Sequence, residues 1–168
     1  KVQATGGSSV ERARITENGI TFNGDTAAAN ALGDYEEGTY TPTVTCSTSG
    51  SYGLDTSYDT LTYTKIGRVV HVQGYISITS ESSPSGDLRF SLPFTAATLT
   101  ENSDYSAFKV LVRFHGSSNL YNQIGVTTAG QAYFNVVFDN GSGTSSYMDH
   151  GDVDTAWSMF MSATYMAT

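Results

Sequence analysis

Between Leu61 and Thr79 the chain alternates. Val70, Val72, Gly74, Ile76 and Ile78 fall on one face and His71, Gln73, Tyr75 and Ser77 on the other, the period of two that marks a strand with one wet face. Gly67-Arg68 interrupts the run and predicts a tight hairpin. Upstream, Thr39, Thr41, Thr43 and Thr45 alternate with Tyr40, Pro42, Val44 and Cys46. Pro42 has no N–H for a ladder, so this strand is expected at a sheet edge or broken there. Downstream, Leu88, Phe90, Leu92 and Phe94 form an inward face, then Phe108, Val110, Val112 and Phe114, then Ala132, Phe134, Val136 and Phe138. Lys109, Leu111 and Arg113 point outward, and an outward Leu111 hints at a covered second face. The last strand, 156–167, sets Trp157, Met159, Met161, Ala163 and Tyr165 against Ser158, Phe160, Ser162 and Thr164. Segments 47–59, 80–87, 115–119, 128–130 and 139–143 read as loops or turns. Roughly eight strands after Gly38 predict an all-β fold, a jelly-roll-like antiparallel β-sandwich.

Residues before that pattern behave differently. Lys1 to Gly24 is polar and Gly-rich, with short alternating pieces at 10–15 and 19–22 around Asn18-Gly19, a strong hairpin signal. Val10, Ile15, Ile20 and Phe22 offer too little apolar surface to offset backbone ordering at about 1–2 kcal/mol per residue. The segment therefore needs partners, or else is a disordered tail. Residues 25–33 (DTAAANALG) are the one place where a helix is expected, with Asp25 or Thr26 as N-cap and Gly33 as the stop. This divides the chain into 1–33, a polar hairpin segment with a connector, and 34–168, the sandwich.

Composition supports strands: Tyr, Thr, Ser, Gly and Val dominate, and charged residues are 14% of 168. The formal net charge is −8 and no Lys or Arg follows Arg113, so nucleic acid and anionic membrane surfaces are poor partners. Binding a polyanion would need a local basic patch, which the sequence does not reveal. No apolar run approaches ~18 residues, so membrane insertion is not expected. The missing initiator Met suggests a piece of a longer polypeptide. Cys46, the only cysteine, is expected as a buried free thiol on an apolar strand face.

Candidate chemistry is sparse. Asp149, His150, Asp152 and Asp154 lie within six residues, but the glycine and terminal glutamate of a calcium-binding loop are missing, and a solvated acidic turn fits better. Glu36 and Glu37 are neighbours on an extended chain and point to opposite sides, so they do not form an acid–base pair. His71, His115 and His150 lack metal-site spacing, and there is no phosphate-cradling glycine loop. No catalytic residue, metal or cofactor is expected. Tyr52 and Tyr58, set among small polar residues, suit stacking on sugar rings.

Four motifs follow in order: Glu11-Arg-Ala-Arg-Ile15, Asp34-Tyr-Glu-Glu-Gly-Thr-Tyr-Thr-Pro42, Tyr63-Thr-Lys-Ile-Gly67 and Leu92-Pro-Phe94. This succession resembles the C-terminal tip domain of bacteriophage tail fibres and tailspikes. The resemblance implies a virion protein at the distal end of a tail fibre and an N-terminal segment intertwined in a homotrimer. It also implies binding, without catalysis, to bacterial surface polysaccharide or lipopolysaccharide. Its motifs are architectural and carry over no ligand contacts. Loop composition nominates Tyr52, Tyr58, His115, Asn119, Tyr121, Tyr147, Asp149 and His150 as ligand-binding residues. One alternative is a purely structural trimerisation cap, with Tyr75, Leu111 and the Trp157-Met159-Met161 stripe as intersubunit contacts. The other is a polysaccharide depolymerase, which needs a carboxylate pair about 5–10 Å apart and has only unlinked candidates such as Asp149 and Asp154.

Overall fold

The computed structural model describes residues 11–27, 31–33, 35–102, 105–114, 116 and 120–168. They fall into two compact units. Of the first, Lys1–Glu36 with Lys65–Gly67, the central feature is a hairpin of β1 (Ala13–Thr16) and β2 (Gly19–Phe22) that pairs Ile15 with Ile20. Asn18-Gly19 makes the turn, with Gly19 at φ 115. Leu32 adds a bridge: its N–H donates to Ile20 O at 2.7 Å and the Ile20 N–H returns the bond at 3.0 Å. That bridge replaces the connector helix expected over 25–33. Leu32 spends its backbone polar groups on β2, and the Asp25 carboxylate turns the chain by accepting from the Ala27 N–H at 2.8 Å. Residues 28–30 of that expectation lie outside the described residues.

The second unit, Glu37–Thr64 with Arg68–Thr168, is built from β3 (Tyr35–Tyr40), β4 (Val44–Cys46), β5 (Ser49–Leu54), β6 (Leu61–Ile66), β7 (Val69–Ser85), β8 (Leu88–Ser91), β9 (Ala107–Arg113), β10 (Tyr121–Thr127), β11 (Tyr133–Asp139), β12 (Ser145–Tyr147) and β13 (Ser158–Met166). β7 pairs with β13 through Val69–Ser77 and with β5 through Ile78–Ser85. β9 is likewise shared, with β10 along Ala107–Lys109 and β13 along Val110–Arg113. Two strands serving two partners each close the circuit β7-β13-β9-β10-β11-β8-β4-β5-β7 into an antiparallel, barrel-like sandwich. β6 and β3 extend from β7, and β12 adds to β11. The break expected at Pro42 is present between β3 and β4.

Inside the barrel, Phe90 stacks on Phe134 at 4.9 Å, and Trp157 meets Phe90 and Tyr52 edge-on at 6.0 and 5.7 Å. Such contacts add to the burial term. Trp157, Met159 and Met161 are core residues, which removes them from the expected intersubunit stripe.

Several local expectations are corrected. Residues 47–59 and 80–87 are not all loop: β5 and the far half of β7 pair as polar strands, Ser51 with Ser82 and Tyr52 with Glu81. Ala132 is exposed ahead of β11, and Phe114 is 63% exposed at φ 61 instead of closing the inward face of β9. On β10 the inward positions are Gln123, Gly125 and Thr127, because a bulge at Asn122 (φ 47) shifts the register. A Cβ at Gly125 would meet the Phe108 ring. Gln123 is satisfied within the core, accepting from the Val112 N–H and donating to Val112 O and Leu120 O.

Candidate functional site: an aromatic trough on the outer face of β7, β13 and β9

Alternation that buries Ile76, Met159, Met161, Val110 and Val112 must turn their neighbours outward. Register then sets Tyr75, Phe160 and Leu111 in one row across three strands, since Phe160 pairs with both Tyr75 and Leu111. Tyr75 and Phe160 rings lie 4.6 Å apart, and Tyr58 meets Tyr75 edge-on at 5.6 Å. The loop carrying Tyr58 is pinned to β7: the Asp55 N–H donates to Ser77 O at 2.8 Å and the Ser77 N–H donates to Tyr58 O at 3.1 Å. At the end of β9, the Arg113 guanidinium sits 4.8 Å from the Phe114 ring and 6.0 Å from Phe160.

Hollows flank this ridge. An open groove of about 630 Å³, bounded by Thr60, Thr62, Gln73, Tyr75, Lys109, Leu111, Phe160 and Ser162, lies on one side. Its size is that of an ordinary small-ligand site. A pocket of about 270 Å³ on the other is bounded by Tyr75, Ser77, Phe114 and Ser158. Ser158 is 2% exposed, and among the described residues its hydroxyl has no hydrogen-bond partner. Gly74 borders the groove at φ 149, and a Cβ there would press on the buried Leu61 side chain at 2.7 Å. Aromatic faces framed by hydroxyl, amide and ammonium groups can stack on a pyranose and hydrogen-bond its hydroxyls. Among the described residues, none that bounds either hollow is a carboxylate.

Of the eight residues nominated from the sequence, the six that are described lie in different parts of the fold. Tyr58 joins the trough. Tyr52 is 5% exposed in the core, where desolvation first, then nearby Cys46, Glu81 and Asp149, push its phenol up to about 12. Tyr121 and Tyr147 are exposed on either flank of β11, paired with Asp139 and Val137. Asp149 and His150 belong to a turn against Gly86-Asp87. There His150 Nδ1 accepts from the Gly86 N–H at 3.2 Å, Asp149 Oδ1 from the Gly151 N–H at 2.7 Å, and Asp152 Oδ2 from the Asp149 N–H at 3.0 Å. These bonds account for the acidic cluster as a self-capped turn. Among the described residues no three His, Cys, Asp or Glu side chains are grouped to hold a metal. His115 and Asn119 lie outside the described residues. Tyr75, Leu111 and Phe160 were recognisable as outward in their strands, but their meeting depends on strand order, and Phe114 gave no signal of its exposure.

No protein-family model matches the chain, and no curated protein does. Among solved structures, the Dettilon tailspike protein (gp208) superposes with a TM-score of 0.64 at 20% identity, over 79% of this chain and 24% of that one. The chain thus spans about a quarter of that tailspike's length. The succession of motifs read as a tailspike tip is therefore matched by the fold, and the chain is a β-rich domain of tailspike-like architecture.

Proposed function

We propose that this is the distal, receptor-binding domain of a bacteriophage tailspike or tail fibre, which attaches the virion to bacterial surface carbohydrate without cleaving it. The observation that carries the reading is the Tyr58-Tyr75-Phe160 row, with a hollow on each side of Tyr75. Exposed rings beside Thr, Ser, Gln and Lys donors suit a glycan better than an apolar ligand. The likeness in fold to a tailspike supports the setting, and hollows without carboxylates favour binding over glycoside hydrolysis. Residues 1–33 act as the shaft end and 34–168 as the head of a homotrimer, in which three sites raise weak sugar affinity by avidity.

Labelling of bacterial cells by the fluorescent protein, before and after their surface polysaccharide is stripped, tests this reading. Strain-specific labelling lost on stripping, and reduced at least tenfold by Tyr75→Ala, is the expected result. Labelling that survives stripping, or none on any of a broad panel of strains, would reject it. A second reading, a structural trimerisation cap, is favoured by one feature of the hairpin: Ile15 is 83% exposed and calls for a covering partner. It predicts folded oligomer with no labelling.

A further inference from the structure

Electrostatics along the trough point to a narrower ligand class than carbohydrate at large. Lys109 and Arg113 both project from the outward face of β9, on either side of Leu111. They are four residue steps apart along the strand, about 13 Å at 3.3 Å per residue, longer than a single hexose. Lys109 borders the larger groove, and Arg113 stands over Phe114 and Phe160 beside the smaller pocket. Among the described residues neither has a carboxylate within 4 Å. Two carboxylates of adjoining loops are held within their own loops. Asp55 Oδ1 accepts from the Ser57 N–H and Asp59 Oδ1 from the Thr60 hydroxyl. In a chain of net charge −8, two unpaired cations bracketing an aromatic row are a local reversal of sign. At physiological ionic strength charges beyond about 8 Å are largely screened, so for a ligand lying in the trough the charges that border it count most.

We propose, resting on the carbohydrate reading above, that the trough takes an acidic oligosaccharide at least two sugars long. Its rings stack on Tyr75 and Phe160, and its carboxylates, as in a uronic-acid repeat, meet Lys109 at one end and Arg113 at the other. A guanidinium already held against an aromatic ring is preset for bidentate contact with a carboxylate. The orphaned Ser158 hydroxyl at the Arg113 end supplies a further polar group to the second sugar.

The test measures binding to capsular polysaccharide containing uronic acid, in its native form and after carboxyl reduction to neutral hexoses, at 50 and 300 mM salt. The expected result is at least tenfold weaker binding after reduction. Lys109→Gln with Arg113→Gln should give the same loss on the native polymer, with little effect on the reduced one. Arg89→Gln, which removes a charge from β8 outside the trough, should leave both unchanged and controls for net charge. Equal binding to native and reduced polymers overturns this proposal while leaving the carbohydrate reading standing. Binding to neither form overturns both. Both trough cations are exposed, and unchanged thermal unfolding of the double variant verifies its fold.

Discussion

Tyr165 shows how a polar side chain is kept inside this barrel. Its hydroxyl donates to Phe94 O at 2.9 Å and accepts from the Phe94 N–H at 3.2 Å, so a buried phenol costs nothing in unpaired polarity. Burial raises its pKa, as does burial of Tyr40, and Tyr52 is pushed up to about 12 from 10.0. Folding favours the neutral phenol. Stability is therefore expected to be full below pH 10, where the unfolded phenol is also neutral, and to be lost as pH rises through about 12. Alkaline titration followed by tyrosinate absorbance checks this: Tyr40, Tyr52 and Tyr165 ionise only with unfolding. Their ionisation near 10 with the fold intact would contradict it. The contrast between Tyr52 and Tyr75 also marks what a single residue reveals. Tyr52 sits among Ser and Gly and reads as a loop ring, yet pairing with Glu81 turns it inward against Trp157. Tyr75 was plainly outward, but nothing near it in sequence announces that Phe160 will lie 4.6 Å away.

Elements with one apolar face were legible, because a period of two has one burial solution. The inward residues of β4, the first half of β7, β8, β11 and β13 are those the alternation picked out. Elements stabilised by ladder hydrogen bonds between polar strands were not: β5 and the end of β7 carry Ser, Gly and Pro, which also describe a loop. For β10 no inward face was read from the sequence: a bulge sets which side chains enter, and Gly125 is small enough to admit the Phe108 ring. The β1–β2 hairpin was readable from Asn18-Gly19, and an isolated two-stranded hairpin is marginal in water. Since Ile15 projects into solvent, sedimentation of the chain is expected at three times 17.9 kDa, with Ile15→Asp shifting it toward monomer. A wild-type monomer would end the trimer proposal, and a trimer indifferent to Ile15→Asp would place its interface elsewhere.

At the scale of the molecule, the aromatic trough is a product of closure. β7 and β9 each pass from one partner to another, and that sharing brings β13 between them and lines up Tyr75, Phe160 and Leu111. A sequence records each strand's faces but not the order of the strands, so the fold class could be read while the meeting of Tyr75, Phe160 and Leu111 could not. The same closure separates the trough from Tyr121 and Tyr147, which flank β11. Hydroxyl-radical footprinting of side chains, with and without surface polysaccharide from a strain the protein labels, tests the central claim most directly. The account predicts that Tyr58, Tyr75 and Phe160 lose most of their labelling when glycan is added, while Tyr121 and Tyr147 do not change. Protection of Tyr121 and Tyr147 with the trough still labelled would contradict it.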